Sequence, residues 1–323
     1  MISNTSLKDI GVMLNNAASI LIFPHVSPDG DAIGSCAALC RAMRSTGKNA
    51  WVLLDDEIPG YLRFMDTQYF TDNADCVEAP DICICVDCSE ESRFIKRSDK
   101  FNTGRFRICI DHHEASEGLG DYYYIDEREA AASQIIYKLL VAMDVTIDSK
   151  IAESLYVGIN TDTGSFQYSN TTAETHRIVS DLLETGIDHS AIAVLLYHNI
   201  SLRKLRLQSE IIKCMEVIAN GKAAVSYVTK EMLDLCDAEA DDSEGAVDIL
   251  RNIEGIELAA FLKEKDGGIK VSMRAKSYGV VNVIAMKFGG GGHAKAAGCT
   301  LDMSMEKALE TIKNELNSYW ESR

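Results

Sequence analysis

His25, Asp29 and Asp31 fall within seven residues in the stretch HVSPDGDAIGS, directly after the apolar run SILIF. Three further stretches present acids or histidines in the same manner: Asp87 in CVDCSE, Asp111, His112 and His113 in CIDHHE, and Asp162 in GINTDTGSF. Imidazole nitrogens and carboxylate oxygens gathered in one place can hold a metal or move a proton. So many carboxylates would repel and raise one another's pKa unless cations sat among them. Oxygen donors mixed with imidazole, without thiolate, suit Mn²⁺ or Mg²⁺ better than structural zinc. Cys88 adjoins Asp87, but strand alternation turns it to the opposite face. Singly, each stretch is weak: a lone histidine is more often an ordinary core or surface residue, and Asp-x-Asp pairs are common in loops. The weight lies in their order and shared context. His176, His189 and His198 lack that context and read as ordinary surface or interface residues.

The elements that must position these groups alternate in type. Apolar runs predict strands at 19–23, 50–54, 82–86, 106–110 and 122–125, and amphipathic periods predict helices near 32–45, 131–143, 150–160 and 173–185. A βαβα rhythm argues for an α/β fold with a mostly parallel sheet flanked by helices. In such sheets ligands bind beyond the carboxyl ends of the strands, where His25, Asp29, Asp31, Asp87 and His112 all fall. TTAE at 171–174 reads as a capping box for the last of these helices, and Gly186 as its end.

From 188 to 220 the pattern is helical throughout, which predicts a helical linker between a catalytic domain at 1–187 and a smaller α/β domain at 221–323. In that second domain KAAVSYVT reads as a strand, IELAAFLKEKDGGIKVSMRAK as a hairpin and NVIAMKF as a short helix. A terminal amphipathic helix spans 304–319. The acid-rich DAEADDSE reads as a solvated loop or helix start. Four consecutive glycines, Gly289, Gly290, Gly291 and Gly292, let backbone N–H groups approach an anion. His293 follows and can contact phosphate or stack on a base. Arg274, ending a hairpin strand, offers a fork to phosphate, whereas Lys295 reads equally well as a solvated lysine.

Composition limits the partners. The chain has 323 residues, suited to two domains. Its formal net charge is −17, unlike the basic surface that grips long duplex nucleic acid. No run of about 18 apolar residues suggests a membrane span, and the N-terminus lacks a signal-peptide pattern, so a cytoplasmic location is expected. The ten cysteines lack paired zinc spacing and read as structural thiols in a reducing compartment.

HVSPDGD, VDCS, IDHH and GINTDTGSF, in that order, resemble the four motifs of the DHH phosphoesterases, and GGGGHAKAAG resembles the hallmark of the DHH-associated substrate-binding domain. The likeness runs from about residue 19 to 301 and is strongest to the two-domain nanoRNase/pAp-phosphatase group. It implies two divalent ions, Mn²⁺ foremost and Mg²⁺ as the alternative. One is held by His25 and Asp29, the other by Asp31, His112 and Asp162, and Asp87 bridges them. Asp111 is implied as support from behind the ligands, and His113 as facing the substrate phosphate. The implied activity is in-line attack by a metal-activated hydroxide on short oligoribonucleotides, on linear dinucleotides such as pGpG and pApA, and on pAp. A homodimer is compatible with the family. Two alternatives stay open: a hydrolase of cyclic di-AMP, and a nucleotide sensor without turnover.

Overall fold

The computed structural model describes residues 2–54, 56–113 and 118–321, and the chain divides into two compact units, Met1–Asn199 and Ile200–Arg323. The first unit runs β1 (Ile2–Ser3), α1 (Leu7–Asn16), β2 (Ser19–Phe23), α2 (Gly30–Ser45), β3 (Asn49–Leu53), β4 (Phe70–Thr71) and β5 (Ile82–Val86). It continues with α3 (Ser98–Phe101), β6 (Phe106–Asp111), β7 (Tyr122–Ile125), α4 (Ala132–Ala142), α5 (Ser149–Asp162), α6 (Ala173–Glu184) and α7 (His189–Tyr197).

Its sheet has the order β1-β7-β6-β5-β2-β3-β4. Every pair is parallel except the antiparallel edge pair β1/β7. The chain builds outward from β2 through β3 to β4, then returns to lay β5 on the other side of β2. Strand order therefore reverses between β2 and β5, the crevice position where open α/β sheets bind ligands. The central strands are apolar on both faces because both faces are covered. Ile20, Ile22, Ile82, Ile84, Val86, Ile108 and Ile110 pack under α1, α2, α4 and α5. Leu21, Phe23, Cys83, Cys85 and Cys109 pack on the other face with Phe94 and Phe101, and Cys88 lies there too, where strict alternation along the strand would not put it.

The second unit runs α8 (Leu202–Lys213), β8 (Glu216–Ile218), β9 (Ala223–Val228), α9 (Lys230–Cys236), α10 (Ala246–Arg251), β10 (Leu258–Lys265) and β11 (Gly268–Ala275). It ends with α11 (Asn282–Met286), β12 (Gly291–Gly292), β13 (Ala296–Leu301) and α12 (Met305–Glu321). Its mixed sheet has the order β12-β13-β11-β10-β9-β8. Alternate residues of β10 enter two cores: Leu258, Ala260 and Leu262 meet α12, whereas Ala259 and Phe261 meet the side covered by α8 and α10.

Two local expectations need correction. Residues 188–220 are not one continuous helix. Ser201 caps a new helix, its Oγ accepting from Lys204 N at 3.2 Å, and 216–218 form an edge strand on β9. The capping box of α6 uses Thr172 and Thr175 rather than Thr171 and Glu174, because each threonine hydroxyl meets the other's backbone N–H at 3.2 Å. The two-residue strands β1 and β4 carry no local signal, since only their partners make them strands. Among the described residues no helix is long and apolar enough to cross a membrane, and all ten cysteines are free thiols.

Candidate metal centre

Three adjacent parallel strands deliver most of the donors. His25 follows β2, Asp87 follows β5 and Asp111 ends β6, with His112 and His113 next in the chain. Asp87 has a left-handed backbone, φ +60°, a conformation aspartate adopts more readily than most residues. That turn at the end of β5 breaks the strand's alternation, and Asp87 lies buried among the three histidines.

The crossing of α2 and α5 supplies the rest. Asp29 caps α2, its Oδ1 accepting from the N–H groups of Asp31 and Ala32 at 3.1 Å each, and Asp31 lies in the first turn. Asp162 is the last residue of α5. Glycines let these helices approach. A Cβ on Gly30 would sit 2.3 Å from Thr161 Oγ1, and one on Gly158 would sit 2.0 Å from Ser133 Oγ and 2.7 Å from Asp31 Oδ1. Gly30 is thus needed for close helix packing, not for unusual backbone freedom as its place between two aspartates suggests.

Among the described residues three groups of three donors result, each with its ligand atoms within 4.8 Å of one another: His25, Asp29 and Asp87; Asp31, His112 and Asp162; and Asp87, His112 and His113. His25 Nε2 stands 3.6 Å from Asp87 Oδ2 and 3.9 Å from Asp29 Oδ1. His112 Nε2 stands 3.8 Å from Asp31, 3.5 Å from Asp162 and 3.4 Å from Asp87 Oδ1. These gaps exceed good hydrogen bonds. They match two donors on one ion, each about 2.0–2.2 Å from it. Both histidines offer the needed nitrogen. His25 Nδ1 meets the Val26 carbonyl at 2.8 Å and His112 Nδ1 meets the Glu129 carbonyl at 3.2 Å. A carbonyl only accepts, so each Nδ1 carries the proton and each Nε2 presents a lone pair.

The electrostatics fit a cation. Asp87 Oδ1 is buried and no hydrogen bond among the described residues reaches it. Burial and the neighbouring Asp87 and Asp162 raise the Asp31 carboxyl well above its ordinary value. Burial, with Asp87 and Asp29, pushes Asp162 up to about 7 against the pull of His112. Burial also opposes charge on Asp87, but His112 and His25 outweigh it and hold that carboxyl far down. For His112 burial lowers the pKa, yet Asp87, Asp162 and Asp31 more than reverse the shift. Acids that cannot all ionise together are what a divalent ion relieves. Residues 25, 29, 31, 87, 112 and 162 could therefore hold divalent metal.

Behind the donors, Asp111 Oδ1 accepts from the His112 N–H at 2.8 Å and meets His113 Nδ1 at 2.7 Å. His113 Nδ1 also stands 3.7 Å from Asp87. Ala132 N and Ser133 N donate to the two oxygens of Asp31 at 2.6 and 2.9 Å, so Asp31 caps α4 from another helix. Sequence reading missed these backbone groups. A signal existed: the residue before α4 is Ala131, which offers no cap of its own.

In the second unit, Gly291 and Gly292 form the edge strand β12, and Arg274 lies near the end of the interior strand β11, paired with Ala296 of β13. Three of the four glycines have a reason in the fold. Gly289 has φ +71°, and a Cβ on Gly290 or Gly292 would strike β13 backbone at 2.2 or 2.5 Å; Gly291 faces open space. His293 starts a tight turn, its N–H donating to the Ala296 carbonyl at 2.8 Å. Arg274 Nη1 donates to the Met273 carbonyl at 3.1 Å, and its Nε lies 3.8 Å from Asp248. Lys295 is a clamp rather than a solvated lysine: its ammonium donates to the carbonyls of Ser277 and Gly279.

Comparison with known proteins places this geometry. Residues 19–159 match the DHH family, N-terminal domain, and residues 220–321 match the DHHA1 domain. Over 303 residues the chain is 32% identical to the bifunctional oligoribonuclease and PAP phosphatase NrnA of Thermus thermophilus, covering 92% of this chain and 90% of that protein. It is 29% identical over 286 residues to the protein of the same name from Bacillus subtilis, covering 88% and 89%. A crystal structure of an exopolyphosphatase-related protein from Bacteroides fragilis superposes with a TM-score of 0.93 at 29% identity, covering 99% of this chain and 98% of that one.

Proposed function

This chain belongs to the DHH family, with a DHHA1 domain after the DHH domain, and from that premise we propose that it hydrolyses short nucleotides at the sugar 3′-oxygen. Its substrates are short oligoribonucleotides and linear dinucleotides such as pGpG and pApA, cleaved to mononucleotides, and pAp, converted to AMP. The curated relatives named as oligoribonuclease and PAP phosphatase support both activities.

The observation that carries the reading is the meeting of two donor groups at one buried aspartate. His25, Asp29 and Asp87 would hold one ion, and Asp31, His112 and Asp162 a second, beside Asp87 Oδ1. Mn²⁺ suits the imidazole and carboxylate set, with Mg²⁺ as the alternative. When bound, such ions supply Lewis acidity toward phosphoryl oxygens and make water acidic enough to react at neutral pH. The chain's own groups do the rest. Asp111 accepts the Nδ1 proton of His113 as a hydrogen bond and so fixes the orientation of its ring. Burial opposes charge on His113, but Asp111 and Asp87 raise its pKa. A cationic His113 would offset charge building on the phosphoryl oxygens. Arg274, His293 and the N–H groups of Gly289–Gly292 would bind phosphate or base, and Gly291, with open space at its Cβ position, leaves room for a close approach. Ten free thiols support a reducing cytoplasm as its location.

Product analysis tests the reading. The protein would be incubated with pGpG, pApA, a short RNA, pAp, cyclic di-AMP and pyrophosphate. Each substrate would be run with Mn²⁺, with EDTA, and with Asp87→Asn. Mononucleotides from the linear substrates, lost in both controls, are expected. Cleavage of cyclic di-AMP alone would replace the reading with a cyclic-dinucleotide hydrolase. Tight nucleotide binding without any product would replace it with a sensor.

A further inference from the structure

Asp31, His112 and Asp162 all lean on one short stretch, residues 129–133. Ala132 N and Ser133 N hold the Asp31 carboxylate, and the Glu129 carbonyl orients His112. Asn170 Nδ2 bridges the Ala130 carbonyl, at 3.0 Å, and the Asp162 carbonyl, at 3.1 Å. The stretch is Glu-Ala-Ala-Ala-Ser, so one long side chain is available to anchor it. Glu129 is 8% exposed. Its Oε2 accepts from Gln134 Nε2 at 2.5 Å and its Oε1 from Lys138 Nζ at 2.6 Å. Both partners reach on to α6: Thr175 Oγ1 donates to Gln134 Oε1 at 3.0 Å, and Lys138 pairs with Glu174 at 2.9 Å. None of Glu129, Gln134 and Lys138 belongs to a donor group. Burying an acid is costly and adds little net stability even when it is paired. Orientation of the stretch it starts explains its presence better than stability does.

We propose that Glu129 is a positioning residue for the Asp31, His112 and Asp162 site. It clamps residues 129–133 to α4 and, through Gln134 and Lys138, to α6. The clamp presets the orientation of the His112 ring and of the Asp31 carboxylate before an ion binds. This rests on the reading of those three residues as metal ligands.

The test uses the full chain as Glu129→Ala, Glu129→Gln and Lys138→Met. Three readouts apply: the ¹⁵N shifts of the His112 ring without metal, the Mn²⁺ dissociation constant by EPR titration, and the Mn²⁺ dependence of pGpG hydrolysis. Wild type shows the His112 Nδ1–H hydrogen-bonded to the Glu129 carbonyl. Glu129→Ala loses that hydrogen-bond signature and binds Mn²⁺ about 10–100-fold more weakly, and saturating Mn²⁺ restores its turnover. Glu129→Gln, which keeps one acceptor, falls between. Lys138→Met loses affinity in the same direction and to a lesser degree; its side chain is 24% exposed, so it carries the test should Glu129→Ala not fold. Folded variants with the wild-type Nδ1–H signal and Mn²⁺ affinity would overturn the proposal. The first two readouts need no substrate. A protein that binds Mn²⁺ and cleaves nothing overturns the proposed activity and leaves this inference standing.

Discussion

Asp87 and His113 stand 3.7 Å apart but serve different ends, and substitution separates them. Asp87 belongs to the group with His25 and Asp29, and its Oδ1 lies 3.4 Å from His112 Nε2, so Asp87→Asn is expected to lower Mn²⁺ affinity and activity together. His113 is tied to Asp111 at 2.7 Å. His113→Asn is therefore expected to cost about 10²–10⁴-fold in kcat, with the Mn²⁺ dissociation constant unchanged in a calorimetric titration. Because His113, His112 and Asp87 also lie within ligand distance of one another, a large loss of Mn²⁺ affinity in His113→Asn would make His113 a ligand instead. The glycine run divides in the same way. Gly290→Ala forces a Cβ to within 2.2 Å of the Gly298 carbonyl and should lower the melting temperature. Gly291→Ala should leave melting unchanged and raise KM for pGpG.

At the scale of elements, the α2–α5 crossing and the 277–279 turn each rest on a few atoms. Gly158→Ala places a methyl against Ser133 and Asp31, so α5 must move; overpacking of this kind costs about 1–3 kcal/mol. Denaturant melts would show that loss beside an unaffected Gly60→Ala, where nothing lies within 4 Å. In the second unit the buried Glu257 carboxylate accepts from the N–H groups of Ser277, Tyr278 and Gly279 at 2.7, 2.6 and 2.7 Å, and from Ser277 Oγ at 2.7 Å. Burial alone would raise its pKa, but these donors lower it below the ordinary value. A carboxyl depressed in the folded state stabilises the fold above its unfolded pKa of about 4.3, and that contribution fades as pH falls through the folded value. Glu257→Gln should therefore cost about 2 kcal/mol at pH 7, with the deficit shrinking below about pH 4.3 in a pH series of melts.

Over the whole molecule, 49 acidic residues face 32 basic ones. Long duplexes gain affinity by releasing counterions to a basic track, and a surface this acidic disfavours one. Duplex RNA should fail to compete with pGpG hydrolysis, and log kcat/KM for pGpG should fall with log salt at a shallow slope of about −1 to −2. A steep slope would show that a long electrostatic contact exists after all. Much of the architecture at this scale was legible. The five long strands of the first sheet begin and end within a residue of the apolar runs, because burial on both faces writes a strand into local sequence. Residues 188–220 were not legible, because a three-residue edge strand is defined by β9 and not by its own pattern. The cap of α6 slipped by one residue because Thr171 and Thr172 are chemically alike and only backbone geometry chooses between them.

The sequence by itself determined which donors the chain carries, their order, and that they follow strands. It also determined the family, because HVSPDGD, VDCS, IDHH and GINTDTGSF keep residue types together locally. The tertiary structure decided which donors stand together. Asp31, His112 and Asp162 are far apart in the chain and become neighbours only because strand order reverses between β2 and β5 while α2 and α5 cross on glycines. It also decided how they are held. The N–H groups of Ala132 and Ser133, the Glu129 carbonyl and the left-handed turn at Asp87 belong to the backbone, which has no letter of its own in the sequence.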